Sequence, residues 1–277
     1  MARSAGDRVH IVLEDGKEYL LTLQNNHFFS THLGNISHNL MLENDYGDVV
    51  KTNRGSKVYL FSPGIVENIK FMERQTQVMY PKDIGYIVLY LDVKNGDRVI
   101  DVGLGSGSMC GALARMVGST GKVYAYERRE DFARVAERNL ARWNVLDRVV
   151  IRCRDLGDGF EEEEIDALFL DLPDPWEHIK TCWGALRGGG RIAIACPTAG
   201  KVIKTLQALE ESPFFKTEVW ETLIREYKNS PQSFRPVDRM IAHTTYILFS
   251  RKIYREKKVV IDPEERSDEH QVHASLS

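Results

Sequence analysis

The chain is poor in cysteine, and the four it has, Cys110, Cys153, Cys182 and Cys196, form no Cys-x-x-Cys pair and have no histidine at metal-ligand spacing. That excludes a zinc knuckle or a disulfide framework, so no metal is expected and a reducing cytoplasm suits the protein. No uninterrupted apolar run approaches the about 20 residues that cross a bilayer, and no apolar signal core opens the sequence. A soluble protein without a membrane partner is the expectation. Charge of one sign is lacking too: the net value is -3. Indiscriminate coating of nucleic acid is thereby excluded, and any RNA contact must come from local basic patches. There is no internal repeat. What the chain does have is 43% apolar residues across 277 positions, ample for a core of one large domain or two.

The organising stretch is Arg98 to Gly107, Arg-Val-Ile-Asp-Val-Gly-Leu-Gly-Ser-Gly. Val99, Ile100 and Val102 read as a short buried strand that the glycines then break. The apolar run from Met109 to Val117 sets a helix N-terminus beside the turn, where backbone N–H groups can meet a ligand with no Cβ in the way. This pattern is a nucleotide cradle, although a plain strand-to-helix turn has the same glycines. Ser108 stands where a dinucleotide-binding fingerprint wants its third glycine, so the fit to NAD is imperfect.

In chain order, His10 to Leu13 and Tyr19 to Leu23 flank Glu14-Asp15-Gly16-Lys17, a hairpin signal. Val49-Val50 and Val58-Tyr59-Leu60 add two short strands around an Asn53 to Ser56 turn, giving a small β module over residues 1–64. His27, His32 and His38 lie between in a polar segment read as loop. Pro81 can introduce, but not interrupt, a helix over Ile84 to Leu91. Beyond the glycine loop, strands are expected at Lys122–Tyr126, Val149–Cys153, Ala167–Leu170 and Ile192–Cys196, and helices at Asp131–Trp143, Glu177–Leu186 and Lys201–Leu209. This alternation means βαβ units and a parallel sheet covered on both faces. Thr217–Glu226 and Thr244–Lys252 lack an intervening helix and predict a closing antiparallel hairpin. The second domain runs over 65–256, and the acidic tail, 257–277, is expected to be disordered.

Glu127 ends the strand after the glycine loop, where a carboxylate accepts from the two ribose hydroxyls of an adenosine. Asp155 can accept from an adenine amino group, with Leu156 and Phe132 as apolar walls, though Phe132 fits plain core equally well. In Ala167-Leu-Phe-Leu-Asp171-Leu-Pro-Asp174-Pro-Trp176 an apolar strand delivers Asp171 to the carboxyl edge of the sheet, and two prolines stiffen the loop. Trp176 suits either a stack on a base or a buried helix start. Arg134, Arg138 and Arg142 share a helical face that reads as RNA-binding or as an ion-paired surface, while Arg225, Lys228, Arg235 and Arg239 lean toward RNA.

Taken together, Gln77-Val-Met-Tyr80-Pro-Lys-Asp83, Asp101-x-Gly-x-Gly-Ser-Gly107, Leu170-Asp171-Leu-Pro-Asp-Pro-Trp176 and Arg235-Pro236 with His243-Thr244 resemble the successive motifs of the tRNA (adenine-58-N1) methyltransferase family. The likeness runs from the β module to about Lys252. Leu104 replaces a threonine common in that glycine motif, and Ala242 stands where a glycine often precedes the histidine. The resemblance implies a class I, Rossmann-like, doubly wound sheet of seven mostly parallel strands. It implies S-adenosyl-L-methionine as cofactor, bound by Met79, Gly103, Leu104, Gly105, Ser106, Gly107, Ser108, Glu127, Phe132, Asp155, Leu156 and Asp171. It further implies Asp171 and Tyr80 as catalytic residues, Tyr80, Arg235 and His243 at the substrate, tRNA as partner, and a homotetramer. Competing readings are another class I methyltransferase acting on protein isoaspartate or DNA adenine, an NAD-dependent oxidoreductase, and a non-catalytic RNA-binding subunit.

Overall fold

The computed structural model describes residues 3–75 and 77–254. At its start β1 (Arg8–Leu13) and β2 (Glu18–Thr22) pair antiparallel about the Asp15-Gly16 turn, with Gly16 at φ 85°. A second hairpin, β3 (Phe28–Thr31) and β4 (Gly34–Ser37), leads into a short helix, α1 (His38–Leu42). Then β5 (Val49–Lys51) and β6 (Lys57–Phe61) complete a four-stranded sheet of order β2-β1-β6-β5. Val9, Ile11, Leu13, Val58 and Leu60 bury on one side of it, under Leu23, Ile36 and Met41.

The β3–β4 hairpin and α1 occupy the segment read as loop. They hold because the Phe29 ring meets Tyr19 edge-on at 5.0 Å, and because His38 is buried and accepts from the Gln24 backbone N–H at 3.1 Å. Helix α2 (Ile65–Lys70) ties this sheet to the rest. Lys70 pairs with Glu18 at 2.7 Å and the Arg8 guanidinium donates to Asn68, while Ile69 packs into the larger core.

The larger unit follows the expected alternation: α3 (Pro81–Leu91), β7 (Arg98–Val102), α4 (Ser108–Val117), β8 (Lys122–Glu127), α5 (Glu130–Arg142), β9 (Val149–Cys153), β10 (Ile165–Leu170), α6 (Ile179–Ala185), β11 (Leu186–Cys196), α7 (Ala199–Glu210), β12 (Phe214–Trp220) and β13 (Tyr246–Lys252). Seven strands lie in the order β12-β13-β11-β10-β7-β8-β9, and only β13 runs antiparallel to its neighbours. Successive strand residues feed two separate cores: Val99, Phe169 and Ala193 one, Ile100, Leu168 and Ile192 the other. A sheet buried on both faces needs such continuous apolar strands.

Several boundaries differ from expectation: β11 starts at Leu186, six residues before the expected Ile192, and β12 at Phe214 rather than Thr217. The Pro175-led turn is a 3-10 helix, so α6 starts only at Ile179, and β12 ends at Trp220, leaving 221–245 as an irregular segment with one bridge, Tyr227 to Pro236. Among the described residues the four cysteines are free, and all but Cys153 are buried. The expected disorder of 257–277 lies outside the described residues.

Candidate active site

β7 and β10 lie side by side, with Val102 opposite Leu170, and the chain leaves them toward opposite edges of the sheet. Such a reversal opens a crevice at the strands' carboxyl ends. Gly103 closes β7 at φ 88°, and a Cβ there would sit 2.1 Å from the Asp171 carbonyl oxygen, so no other residue fits. The Asp171 N–H donates to the Val102 carbonyl at 2.9 Å, locking the two loops together. Glu127, at the end of β8, accepts from the backbone N–H of Gly105 at 3.1 Å and of Arg129 at 3.0 Å, one on each carboxylate oxygen. Each oxygen keeps a lone pair for a hydroxyl donor.

Two cavities meet here. The first, about 570 Å³, has Gly103 and Gly105 as its floor and Glu127, Phe132, Asp155 and Leu156 as walls. The Arg129 guanidinium lies 3.5 Å above the Phe132 ring, and the Asp155 carboxylate accepts from the Gly157 N–H at 2.9 Å. The second, about 520 Å³, is bordered by Met79, Tyr80, Asp83, Pro197, Ile241 and His243. Asp171 and Gln77 border both.

The electrostatics follow from packing. Asp171 opens onto the cavities with protein packed behind it, and burial raises its carboxyl to about 6 against the opposing charge of Lys201. Asp101, within β7 and 1% exposed, has both carboxyl oxygens without a hydrogen-bond partner among the described residues. Burial first, then Asp171 and Glu127, push it up to about 8. Asp171 ionises first; its charge then raises Asp101, whereas a still neutral Asp101 exerts none in return. His243 sets its two ring nitrogens against the Pro197 carbonyl at 3.0 Å and Glu221 at 2.7 Å, and these acceptors, in that order, favour the imidazolium and raise its pKa. Beside it, Lys82 donates to Asp83 at 2.9 Å, to the Thr222 carbonyl at 2.9 Å and to Thr244 Oγ1 at 2.6 Å, and Thr244 Oγ1 donates to Asp83 at 2.8 Å.

Of the residues picked out in the sequence, Gly103, Gly105, Glu127, Phe132, Asp155, Leu156 and Asp171 converge on the first cavity, and Met79, Tyr80, Asp171 and His243 on the second. Leu104 turns its side chain into the core, Ser106 and Ser108 are buried, and Gly107 caps α4, so these four border neither cavity. Arg235 is exposed, borders neither and pairs with Asp238 at 2.5 Å. Arg138 and Arg142 pair with Glu73 and Arg134 with Glu130, which makes that helical face an ion-paired surface. Trp176 is half-buried, with the Lys204 ammonium 4.5 Å above its ring. Gln77 and the contacts of Lys82 and Lys201 carried no sequence signal of their own; only motif membership marked the first two.

These residues fit a nucleoside bearing a positive charge: a glycine floor that a Cβ would fill, an acid for the ribose, and an orphaned buried carboxyl beneath the floor. A sheet of this order with such a crevice defines the class I S-adenosylmethionine-dependent methyltransferases. The chain belongs to the family described as tRNA methyltransferase complex GCD14 subunit, which it matches over residues 58–243. It is 33% identical over 267 residues to the tRNA (adenine(57)-N(1)/adenine(58)-N(1))-methyltransferase TrmI of Methanocaldococcus jannaschii, covering 87% of this chain and 93% of that protein. Against the tRNA (adenine(58)-N(1))-methyltransferase TrmI of Thermus thermophilus it is 30% identical, covering 87% and 96%. Among solved structures, the tRNA (m1A58) methyltransferase TrmI of Aquifex aeolicus superimposes with a TM-score of 0.81 at 31% identity, covering 92% of this chain and 100% of that one. A SAM-dependent O-methyltransferase of Thermotoga maritima superimposes at 0.88 with 50% identity, covering 93% and 97%.

Proposed function

We propose that the protein transfers a methyl group from S-adenosyl-L-methionine to N1 of adenine 58 in the T-loop of tRNA, the position named for its relatives. The observation that carries this reading is the pair of cavities that share Asp171. The first takes the cofactor. Glu127 accepts from its ribose, Asp155 from the adenine amino group, and Phe132 and Leu156 sandwich the ring. The turn from Gly103 to Ser108, with Leu104, Ser106 and Gly107, supplies backbone rather than side chains, and Met79 borders the second cavity, two residues from Gln77, which borders both.

The second cavity takes the extruded target adenine, with Tyr80 shaping it and His243 on its far wall. When bound, the cofactor supplies an electrophilic methyl on a sulfonium. N1 of adenine is unprotonated, so no proton leaves it; the positive charge given up by sulfur appears on the purine, spread over N1, C6 and the exocyclic amine. Asp171 accepts from that amine, and its bond strengthens as the charge develops, which is the differential stabilisation catalysis requires. Arg235, with Arg225 and Arg239, which have no ion pair among the described residues, meets RNA phosphates at the rim.

We read residues 1–64 as a separate module and 65–256 as the methyltransferase domain; α2, at that boundary, packs into the larger core. Self-association as a homotetramer accords with exposed apolar side chains at Trp220, Leu223, Ile224 and Phe234. Buried free cysteines suit a cytoplasmic setting. No helix among the described residues is long and apolar enough to cross a membrane.

The test is mass spectrometry of nucleosides from unmodified tRNA incubated with protein and methyl donor. 1-Methyladenosine at position 58 is expected; a 2′-O-methylated nucleoside would put the protein with oxygen-directed enzymes instead. Asp171→Ala should lower single-turnover methylation by about 10²–10³. Near-normal turnover at saturating substrates would remove Asp171 from the chemistry.

A further inference from the structure

Lys201, the third residue of α7, makes no ion pair with Asp171 among the described residues; it reaches instead the loop that carries that carboxylate. Its ammonium donates to the Pro173 carbonyl at 2.5 Å, in the loop that presents Asp171 two residues earlier. One turn on, Lys204 lies over the Trp176 ring, so α7 holds the 171–176 loop at two points. The buried Thr205, whose hydroxyl donates back to the Lys201 carbonyl within the helix at 2.8 Å, lies 3.5 Å from the Cys196 Sγ at the end of β11 and seats this turn of α7 on the sheet.

We propose that Lys201 is a positioning residue for methyl transfer: its ammonium fixes the proline loop through the Pro173 carbonyl and, from beyond ion-pair distance, supplies a positive charge that favours the Asp171 carboxylate. This rests on the role given to Asp171 above. Carboxyl groups crowd the site: Asp101 and Glu127 on the neighbouring strands, Asp174 and Glu177 in the same loop, and Asp83 at the start of α3. The Cys196 thiol ends β11, and burial keeps it protonated. Most cations around the cavities are engaged elsewhere, Arg129 with Asp131, Arg154 with Glu161 and His243 with Glu221. Arg128 and His178 stand on the walls of the first cavity. Among the described residues, Lys201 is the cation whose charge works against the desolvation of Asp171 by the protein behind it.

The consequence has a definite sign. Burial favours the protonated carboxyl and the ammonium favours the carboxylate, so removing the ammonium raises the Asp171 pKa from about 6 toward working pH. A protonated Asp171 gives no stabilisation to a base that becomes cationic.

Two readouts test this in the full chain with Lys201→Met, Lys201→Gln and Lys201→Arg. One is the ¹³C carboxyl titration of Asp171 without cofactor, assigned by the signal lost in Asp171→Asn. The other is the acid limb of kcat/KM for the methyl donor, which reports the free enzyme. Titration midpoint and acid limb should both rise by about one pH unit in the Met and Gln variants and stay in place in the Arg variant. Lys201→Gln can still donate to Pro173 and should keep a higher plateau rate than Lys201→Met; it also carries the test if the Met variant does not fold. An unmoved midpoint in folded Lys201→Gln overturns the proposal. A midpoint that rises while the acid limb stays put overturns instead the role of Asp171, and the positioning role with it.

Discussion

At Gly103 the exit of β7 passes so close to the Asp171 carbonyl that a methyl group cannot be placed between them. Gly103→Ala adds a Cβ at a positive φ and pushes the Asp171 loop outward. We expect a loss of stability of about 1–3 kcal/mol from the strained backbone and at least a tenfold loss of cofactor affinity, read by thermal denaturation and isothermal titration. An unchanged affinity would mean that this close approach does not set the cavity. The sequence made this residue visible, along with Glu127 and Asp171, because a run of apolar residues ending in glycine or an acid marks the edge of a buried strand. Lys201 was invisible for the opposite reason. Its partner is a backbone carbonyl, which has no residue identity, and the contact exists only once α7 has packed over the proline loop.

Among the elements, α3 is held by more than its apolar face. At its first turn Asp83 is buried and the Lys82 side chain largely so, and through Thr222 and Thr244 they pin both ends of the irregular 221–245 segment beside the second cavity. Lys82→Met leaves the Asp83 carboxylate buried without its cation and should cost about 3–5 kcal/mol. Lys82→Met with Asp83→Leu, which removes both charges, should recover part of that. Chemical denaturation of the single and double variants checks both, and a single variant as stable as the parent would show the pair to be inessential. The long, periodic elements of this chain were legible because their strands are apolar throughout and their helices carry one apolar stripe. The β3–β4 hairpin, α1 and α2 were not, since elements of four to six residues hold through contacts such as Phe29 on Tyr19 rather than through any local period. The segment after Trp220 reads like a strand, yet it leaves the sheet to bring Thr222 to Asp83 and His243 to the cavity.

On the scale of the whole molecule, the first cavity, proposed as the cofactor's, is assembled from the ends of β7, β8 and β10 and the turn after β9, so a ligand there clamps much of the sheet at once. S-adenosylmethionine at 100 times its Kd should therefore stabilise the protein by about 2.7 kcal/mol, a rise in Tm of roughly 5–10 °C for a chain of this size. Differential scanning calorimetry with and without the compound measures it, and no rise would contradict the cleft assignment.

The place of β13 in the sheet has a further effect, on synthesis. This strand, the last among the described residues, lies between β11 and β12, paired with both, and the residues just before it, His243 to Thr245, border the second cavity. A nascent chain that has already emerged through β12 still holds two unpaired edges where the middle of its sheet will be. The amino-terminal sheet can close while translation continues, but the catalytic half must wait for its final strand to leave the ribosome, and until then it is the form most exposed to aggregation and most in need of a chaperone.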